Sequence, residues 1–578
     1  MSIRILFNYI MKSHFLKFKP IMKKILVLLV LISNLNICAQ DLYFENPIIR
    51  GGYPDPSICR VENDYYLVNS SFEYFPGLPI HHSTDLVNWK LIGYGLHDKS
   101  QCSGKMNLMD VQSNGGIHAP TIRYHKGKFY IITTNVYQPI KEEPAKMINF
   151  VITANDPKGP WSNPIIIKGA PGIDPDIFFN DDGKIYYTGT HSPEKPNFLG
   201  EGEIWMQELD SNTFQLIGDR HFLWRGACQG TWAEGPHIYK KDEWYYLMIA
   251  EGGTGFNHAV MIAASKNITG PYQANDRNPI LTTRHLSYDY WVNSTGHADM
   301  VELPNGEWKM VCLGIRNEVN RASNMGRETL ILPVIWEKEP YWWKKIKYNW
   351  PVCSPESGKI EKKYPNFLAL NDSKFTIKTE EYNFNENYLS NDWIHRRVPL
   401  KNGYNLTTKN GNLTMFCKEP TIKDRTAYNF IGVKQKETNF EVFTTMKFKP
   451  TKNGEEAGLC LIQKDDNYLL FDVKKVAKEN VLQLIVKYKK KELHLKKELV
   501  IDKKYNNYIE LKVMSKDNQY FYYYRYQSKN PWQLFDTTSG SILLSEGYTG
   551  AHIGFYATSN KAKSNNYAAF DVFNLKYH

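Results

Sequence analysis

Residues 55–58 read Asp-Pro-Ser-Ile, and Tyr65, the bulky residue of the next strand, follows the aspartate by ten positions. The same pattern occurs five times in the first 330 residues. It consists of a polar residue, a nearby Pro or Ala, an apolar anchor, a short turn and a bulky strand residue. The polar residue precedes the bulky one by ten or eleven positions in every copy. The other copies begin at His118, Asp174, Glu234 and His297 and lead to Phe129, Ile185, Trp244 and Trp308.

Successive bulky residues lie 64, 56, 59 and 64 positions apart, so the repeat has about sixty residues. That period suits one blade of a β-propeller with long loops, and five blades close a ring. If each polar residue opens the innermost strand of its blade, all five approach the central axis. Three carboxylates and two imidazoles in one funnel indicate a chemical site rather than a packing motif.

The bulk composition favours an all-β chain with more than one domain. At 578 residues the chain is too long for a single core, and its 38 Tyr and 14 Trp suit pleated, half-buried strands. The net charge is +11, of which residues 1–39 supply six Lys and Arg and no acid, leaving +5. The propeller region has no concentrated basic patch, so we expect no nucleic-acid partner. Seven cysteines follow residue 39 without a Cys-x-x-Cys pair, which argues against a zinc site or a disulfide framework.

The first 39 residues have the pattern of an export signal with an upstream extension. Basic residues precede an apolar run over residues 25–32, and residues 36–39 supply a cleavage-site candidate. The run is short for a membrane span, so we expect no transmembrane anchor in the mature chain. Cys38 would suit a lipoprotein, but Ile37 is too large for the residue before a lipidated cysteine. We therefore expect a periplasmic or extracellular protein.

The propeller pattern stops near residue 350, and the domain boundaries follow from that change. Pro, Ser and Gly in the next segment indicate a linker over residues 351–364. We predict a five-bladed β-propeller over residues 40–350 and a concanavalin-like β-sandwich over residues 365–578. The sandwich is either a carbohydrate-binding module or a brace that closes one side of the pocket. Its predicted strands are 404–408, 412–416, 440–446, 458–462, 468–472, 481–486, 508–513 and 520–524.

Three of the repeat residues have the chemistry that cleaves a glycosidic bond. That reaction needs one carboxylic acid that protonates the departing oxygen and one carboxylate that acts on the opposite face of the sugar. Glu234 follows Trp232 and a small residue, which predict a dry wall and a raised pKa, so it is the candidate acid. Asp55 lies in a proline-fixed turn that can hold a water, so it is the candidate base. Asp174 supplies a third charge that keeps the acid protonated.

Seven motifs follow one another along the chain: Asn-Pro-Ile-Ile-Arg-Gly-Gly-Tyr-Pro-Asp-Pro-Ser-Ile at 46–58, Ser-Phe-Glu-Tyr-Phe-Pro-Gly at 71–77, His-His-Ser-Thr-Asp-Leu-Val-Asn-Trp at 81–89, Gly-Ile-Asp at 172–174, Ala-Glu-Gly-Pro-His at 233–237, Gly-His-Ala at 296–298 and Gly-Arg-Glu-Thr at 326–329. Together they resemble glycoside hydrolase family 43, in particular the β-xylosidases with an appended β-sandwich. The resemblance implies an inverting enzyme with Asp55 as general base, Asp174 as pKa modulator and Glu234 as general acid.

The resemblance also implies a substrate-binding wall. Arg327 is expected to bind sugar hydroxyls and Phe72 to line the pocket, and we place Trp232 and His118 on the same wall. Many relatives carry Trp where this chain has His118, so that residue is either a donor to the sugar or a core histidine bonded to backbone. His297 is the candidate metal residue, because some relatives bind calcium near the axis. We expect no cofactor for the chemistry and at most a structural calcium.

The leading hypothesis is an exo-acting β-xylosidase that trims xylose from the non-reducing ends of xylo-oligosaccharides. An α-L-arabinofuranosidase acting on arabinoxylan fragments is the nearest alternative, because the two pentoses have similar hydroxyl patterns and the same three carboxylates serve both. A sugar-binding propeller without turnover is a third alternative. The complete set of carboxylates argues against it, since a lectin does not need them.

Overall fold

The computed structural model describes residues 43–109, 111–138, 140, 142–227, 230–338, 348–368, 379–406, 411–489, 491–502, 505–545 and 547–578. Residues 1–39, the predicted export signal, lie outside this part of the chain. The described residues form β-strands, turns and short 3₁₀ helices (Lys99–Cys102, Gly104–Met106 and Gly540–Leu543), in agreement with the all-β prediction. None of their helices is long and apolar enough to span a bilayer.

Five antiparallel sheets follow one another along the chain, and each contains the strands of one propeller blade. After β1 (Tyr43–Glu45), blade one contains β2 (Ser57–Val61), β3 (Asp64–Val68), β5 (Gly77–Ser83) and β6 (Lys90–Leu96), with β4 (Tyr74–Phe75) in a loop. Blade two contains β7 (Gly116–Ile117), β8 (Thr121–His125), β9 (Lys128–Tyr137), β10 (Lys146–Ala154) and β11 (Ile165–Ile166). Blade three contains β12 (Ile173–Phe179), β13 (Ile185–His191), β14 (Glu203–Leu209) and β15 (Leu216–Trp224).

Blades four and five complete the ring. Blade four contains β16 (Glu234–Lys241), β17 (Trp244–Glu251), β18 (Ala259–Ser265), β19 (Gln273–Ala274) and β20 (Leu281–Thr282). Blade five contains β21 (Val292–Glu302), β22 (Trp308–Arg316), β23 (Arg327–Lys338) and β24 (Asn349–Cys353). The innermost strands β2, β8, β12, β16 and β21 contact one another in that order, and β21 contacts β2 again. Ser57 Oγ donates to Asp299 Oδ2 at 2.6 Å across this last junction. The five-bladed propeller prediction is confirmed.

The fifth blade extends beyond its predicted end. The sequence predicts a linker over residues 351–364, but Asn349–Cys353 pairs with β23, where Pro351 faces Trp336. This is the outer strand of its blade, and an edge strand tolerates proline because one side of its backbone has no ladder partner. The Pro, Ser and Gly composition therefore marks an edge strand at this point rather than a tether.

The C-terminal region contains two antiparallel sheets whose facing side chains share one apolar core. Phe555 and Phe570, from opposite sheets, stack with ring centroids 4.2 Å apart. The first sheet contains β26 (Glu380–Tyr382), β28 (Tyr404–Asn405), β29 (Leu413–Phe416), β31 (Phe440–Phe448), β36 (Tyr508–Lys516), β37 (Gln519–Arg525), β38 (Gln533–Ser539) and β40 (Tyr567–Tyr577). The second contains β30 (Phe430–Lys434), β32 (Glu456–Lys464), β33 (Asn467–Val476), β34 (Glu479–Tyr488), β35 (His494–Val500) and β39 (His552–Thr558).

The sandwich packs directly on blade one. Strand β27 (His395–Arg396) pairs with β4 (Tyr74–Phe75) in the loop between β3 and β5. The side chain of Arg396 is fully buried, and its Nη2 lies 2.8 Å from Glu73 Oε1 and 3.0 Å from Asp465 Oδ1. A backbone pairing and a buried ion-pair network thus join the propeller and the sandwich.

Strands β1 (Tyr43–Glu45) and β25 (Lys363–Pro365) pair antiparallel and form a small unit of their own, in which Phe44 packs edge to face on Phe367.

The six described cysteines are buried and form no disulfide among themselves. Burial raises the pKa of the Cys59, Cys102 and Cys353 thiols to about 12. These thiols therefore behave as small apolar core residues.

Candidate active site

The predicted site residues lie where the inner strands begin or lose their regular pairing. The β-ladder register shifts on either side of Asp174 in β12, directly after Glu234 in β16 and around His297 in β21. Asp55 and His118 lie just before β2 and β8. The expectation that each residue opens an inner strand therefore fails for His297, which lies in the middle of β21. Such irregularities re-aim side chains and are common near active sites.

The backbone at three of these residues is in the left-handed region. The φ angle is 51° at Asp55, 54° at Asp174 and 45° at His297. L-residues adopt this conformation at a cost, and it persists where the surrounding structure holds it, most often at functional sites. Its recurrence at equivalent points of blades one, three and five agrees with a shared role at the axis.

Asp55 is buried and bound to donors. Ser70 Oγ donates to Asp55 Oδ2 at 2.5 Å, Arg327 Nη1 lies 3.5 Å from Oδ1, and His297 Nδ1 lies 3.9 Å from the same oxygen. Burial alone would raise the pKa of Asp55, but His297, Arg327 and the Ser70 hydrogen bond outweigh it and hold the pKa below its ordinary value. Asp55 is therefore ionised at neutral pH, as a general base must be.

The segment that leads into Glu234 carries an exposed aromatic side chain. Trp232, two residues earlier, is 46% exposed and packs against Gly200 and Gly253. Burial raises the pKa of Glu234 to about 7; the Asp55 carboxylate adds to this shift, and Arg327 opposes it. Glu234 thus retains a proton at pH values where Asp55 has lost its own.

Asp174 titrates together with Glu234. Burial, Glu234 and Asp55 raise the pKa of Asp174 well above its ordinary value, while the backbone N–H of Gly235 donates to the carboxylate and opposes the shift. Because the two carboxyls interact, ionisation of Glu234 disfavours ionisation of Asp174, and their titration belongs to the pair. The role of Asp174 as the charge that keeps Glu234 protonated stays a prediction.

Arg327 has donors free for a ligand. The side chain is buried, and Nη2 lies 3.4 Å from the Thr254 carbonyl, at the limit of a hydrogen bond. Among the described residues, Nε of Arg327 has no hydrogen-bond partner. A buried guanidinium with an unsatisfied N–H suits recognition of sugar hydroxyls.

Phe72 and His118, two residues predicted for the substrate wall, contact each other. Phe72 is buried and meets the His118 ring edge to face, with centroids 5.1 Å apart. His118 Nδ1 lies 3.1 Å from the Gly116 carbonyl, which places the proton on Nδ1 and leaves Nε2 as an acceptor. Burial lowers the pKa of His118, so the ring is neutral. His118 is thus bonded to backbone and also part of the wall.

Three residues of the site were missed by sequence reasoning. Tyr548, from the sandwich, lies 5.5 Å from the Phe72 ring and 4.6 Å from Arg327 Cζ. His258 is buried against Gly296, and burial lowers its pKa to about 3. Ser70 is the donor to Asp55. Ser70 stands next to a quoted motif and could have been found, whereas nothing in the sequence places Tyr548 near the carboxylates.

The residues around His297 do not fit a calcium ion, which prefers several oxygen ligands. Burial lowers the pKa of His297 to about 4, and the neutral ring faces Asp55. The next carboxylates along the inner strands, Asp176 and Asp299, lie 2.9 and 2.8 Å from the guanidinium of Arg123, so an internal cation already holds them. The described part of the chain contains no group of three His, Cys, Asp or Glu suited to a metal.

Family patterns match both parts of the chain. The pattern described as "Glycosyl hydrolases family 43" matches residues 44–341, which include all three carboxylates. The chain belongs to glycosyl hydrolase family 43. A second pattern, "Beta xylosidase C-terminal Concanavalin A-like domain", matches residues 381–576 of this family 43 chain.

Curated and solved relatives agree with the family assignment. A xylosidase/arabinosidase of Butyrivibrio fibrisolvens is 37% identical over 92% of this chain and 99% of its own length. BoGH43B of Bacteroides ovatus, a non-reducing end alpha-L-arabinofuranosidase, is 33% identical over 96% of this chain and 98% of its own. The structure of a xylan beta-1,4-xylosidase from Bacillus halodurans superimposes with a TM-score of 0.83 at 27% identity, covering 92% of this chain and 100% of that one. This family 43 chain is a glycoside hydrolase.

Proposed function

We propose that this glycoside hydrolase is an inverting exo-glycosidase that releases xylose from the non-reducing ends of xylo-oligosaccharides. The proposal is carried by the opposite titration of two carboxyls in one funnel. The pKa of Asp55 is held below its ordinary value, and that of Glu234 is raised to about 7. One group can then accept a proton while the other still has one to donate, which is the requirement of acid/base hydrolysis.

The proposed step proceeds without a covalent intermediate. The Asp55 carboxylate accepts a proton from a water whose oxygen bonds to the anomeric carbon. The Glu234 carboxyl donates its proton to the glycosidic oxygen as the bond from that oxygen to the anomeric carbon breaks. The products are xylose of inverted anomeric configuration and a shortened alcohol. Proton exchange with solvent then returns Asp55 to the ionised form and Glu234 to the acid form.

The closed character of the wall supports action at chain ends. Phe72 is almost fully buried, and its contacts with His118 and Tyr548 bring two parts of the chain together around one side of the site. Arg327, with its free Nε, lies beneath Tyr548 and next to Asp55. A wall of this kind holds one terminal sugar, while the exposed Trp232 offers a stacking surface for the leaving side.

An α-L-arabinofuranosidase is the second candidate. It is supported by the names of the relatives from Butyrivibrio fibrisolvens and Bacteroides ovatus. The same carboxylates would act on either pentose, so the difference lies in the fit of the ring to the wall that contains His118.

The deciding experiment compares kcat/KM for an aryl β-D-xyloside and an aryl α-L-arabinofuranoside with one enzyme preparation. A higher value for the xyloside is expected, and a higher value for the arabinofuranoside would replace the first candidate by the second. Proton NMR of the first-formed sugar tests the mechanism, since inversion of a β-xyloside produces α-xylose first. A first-formed β anomer would rule out the assigned roles.

We also propose that the protein acts outside the cytoplasm on xylo-oligosaccharides or arabinoxylan fragments. The support is the basic segment and apolar run before residue 39. Amino-terminal sequencing of the mature protein from its native host should begin near residue 40, and a start at Met1 would contradict export.

A further inference from the structure

One arginine lies among the inner strands of all five blades. Arg123 belongs to β8 of blade two, and its side chain is mostly buried. Its guanidinium contacts the Ile122 carbonyl of its own blade at 2.9 Å, and from the other blades Ser57 Oγ at 3.3 Å, Asp176 Oδ1 at 2.9 Å, His237 Nδ1 at 3.0 Å and Asp299 Oδ2 at 2.8 Å. No function assigned above uses this group.

These partners form a layer directly along the strands from the active site. Asp176 follows Asp174 by two positions, and Asp299 follows His297 by two positions. Ser57 likewise follows Asp55. The residues that contact Arg123 and the residues of the active site are therefore held by the same turns of the inner strands.

The layer requires a cation. The Asp176 and Asp299 side chains are fully buried, and two buried carboxylates are stable only when a positive charge and hydrogen bonds compensate them. Tyr239 O–H donates to Asp299 Oδ1 at 2.6 Å, and the Ile238 N–H donates to Asp176 Oδ2 at 3.0 Å. The remaining oxygens face Arg123. Because a guanidinium only donates, His237 Nδ1 must accept from it.

The donors around Arg123 are of types that bind divalent cations, although among the described residues they form no metal-binding group with Arg123 in place. Two carboxylates, a hydroxyl and an imidazole nitrogen that converge from four blades are ligands of divalent cations. We infer that Arg123 is a built-in cation that takes the place of a metal ion at the propeller axis and holds the inner strands in register. The fold then needs no divalent ion there and has no room to bind one.

The test compares the full-length wild type with Arg123→Ala after exhaustive chelation, followed by addition of millimolar Ca²⁺ or Mn²⁺. For the wild type, neither chelation nor the ions should change Tm, and calorimetry should detect no saturable binding. For Arg123→Ala, Tm should fall, and the ions should restore part of it with binding of one ion per chain. Arg60→Ala is the matched control, since Arg60 lies on an inner strand but donates only to the Glu62 carbonyl.

Loss of wild-type stability on chelation would overturn the inference, as would an Arg123→Ala protein that is destabilised but binds no ion. If Arg123→Ala does not fold, Arg123→Lys serves instead, because lysine keeps the positive charge but lacks the planar guanidinium that donates to both carboxylates. It should melt below the wild type and stay insensitive to the ions, and stabilisation by them would contradict the inference. These readouts are stability and ion binding, so they stand apart from the proposed sugar specificity.

Discussion

Asp55 and Glu234 are both carboxyls in one funnel, yet their neighbours push their pKa values in opposite directions. Asp55 accepts a hydrogen bond from Ser70 and lies near Arg327 and His297, so its charged form is stabilised despite burial. Burial is the main cause of the raised pKa of Glu234, and the charge of Asp55 raises it further. The different pKa values of the proposed base and the proposed acid therefore come from the neighbouring residues rather than from the choice of Asp or Glu.

Replacing Glu234 by Gln should reduce activity most on substrates with poor leaving groups, because a good leaving group needs little protonation. We expect kcat/KM for xylobiose to fall by about 10²–10⁴-fold and that for an activated aryl xyloside to fall much less. Steady-state kinetics on both substrates measures the contrast. Glu208→Gln, on the exposed side of blade three where Glu208 pairs with Lys184, is the control and should leave both values unchanged. Equal losses on the two substrates would show that Glu234 is not the general acid.

Replacing Asp174 by Asn should move the alkaline limb of the kcat/KM profile to lower pH. Asp174 and Glu234 titrate as an interacting pair, and a carboxylate at position 174 disfavours ionisation of Glu234, so its removal should let Glu234 lose its proton at lower pH. Activity, which needs protonated Glu234, then falls as the pH rises through that lower value. A pH series on one aryl xyloside measures the shift of the alkaline limb. Asp55→Asn is assayed in the same series and should be inactive at every pH. An unmoved limb at wild-type rate would make Asp174 a strand cap only.

At the scale of elements, the pocket wall depends on a sandwich loop. Tyr548 contacts the Phe72 ring and the guanidinium of Arg327, so it orients two of the residues proposed to contact the sugar. Of the two roles considered for the sandwich, these contacts favour the brace that closes one side of the pocket. An arginine held over an aromatic face is worth about 0.5–2 kcal/mol, depending on how dry the site is.

Replacing Tyr548 by Ala should lower kcat/KM for xylobiose by about tenfold, because about 1.4 kcal/mol of orientation and stacking is lost. Tyr548→Phe keeps the ring and should remain close to wild type. Steady-state kinetics and a thermal melt of both variants separate a loss of catalysis from a loss of stability. Because Tyr548 lies in a loop, the Tm of Tyr548→Ala should stay near that of the wild type. Wild-type kinetics for Tyr548→Ala would show that the wall does not need the sandwich.

A strand was predictable from the sequence where the local pattern of polar and apolar residues specifies it. Each of the eight predicted sandwich strands overlaps an observed one, whereas six strands of the two sheets were missed: β26, β30, β35, β38, β39 and β40. Every residue of β39 is buried, so it has no alternation of polar and apolar positions to reveal it. The three carboxylates were predictable because the blade repeats mark them. Arg123 and Tyr548 were not, since their contacts join segments far apart in the chain.

At the scale of the whole molecule, Arg396 joins propeller and sandwich. Replacing it by Met removes the ion-pair partner of Glu73 and leaves Asp465 paired with Arg397 alone. The free energy of unfolding should fall by about 3 kcal/mol, the lower end for a broken buried pair, because Glu73, whose pKa burial already raises, can take up a proton. Urea unfolding measures the loss. Lys266→Ala, which removes an exposed pair with Glu243, should change nothing measurable. An unchanged midpoint for Arg396→Met would show that the buried network does not stabilise the protein.

The position of Tyr548 constrains how the two domains can evolve. A propeller that carried its own complete wall could exchange its C-terminal partner by gene fusion and keep its substrate. Here the wall is encoded in two distant parts of one reading frame, so a chimera with a foreign sandwich would keep its carboxylates and lose its fit to the sugar. If this wall fits the sugar as proposed, selection on the substrate acts on both domains at once, and a change in one domain has to be matched by the other.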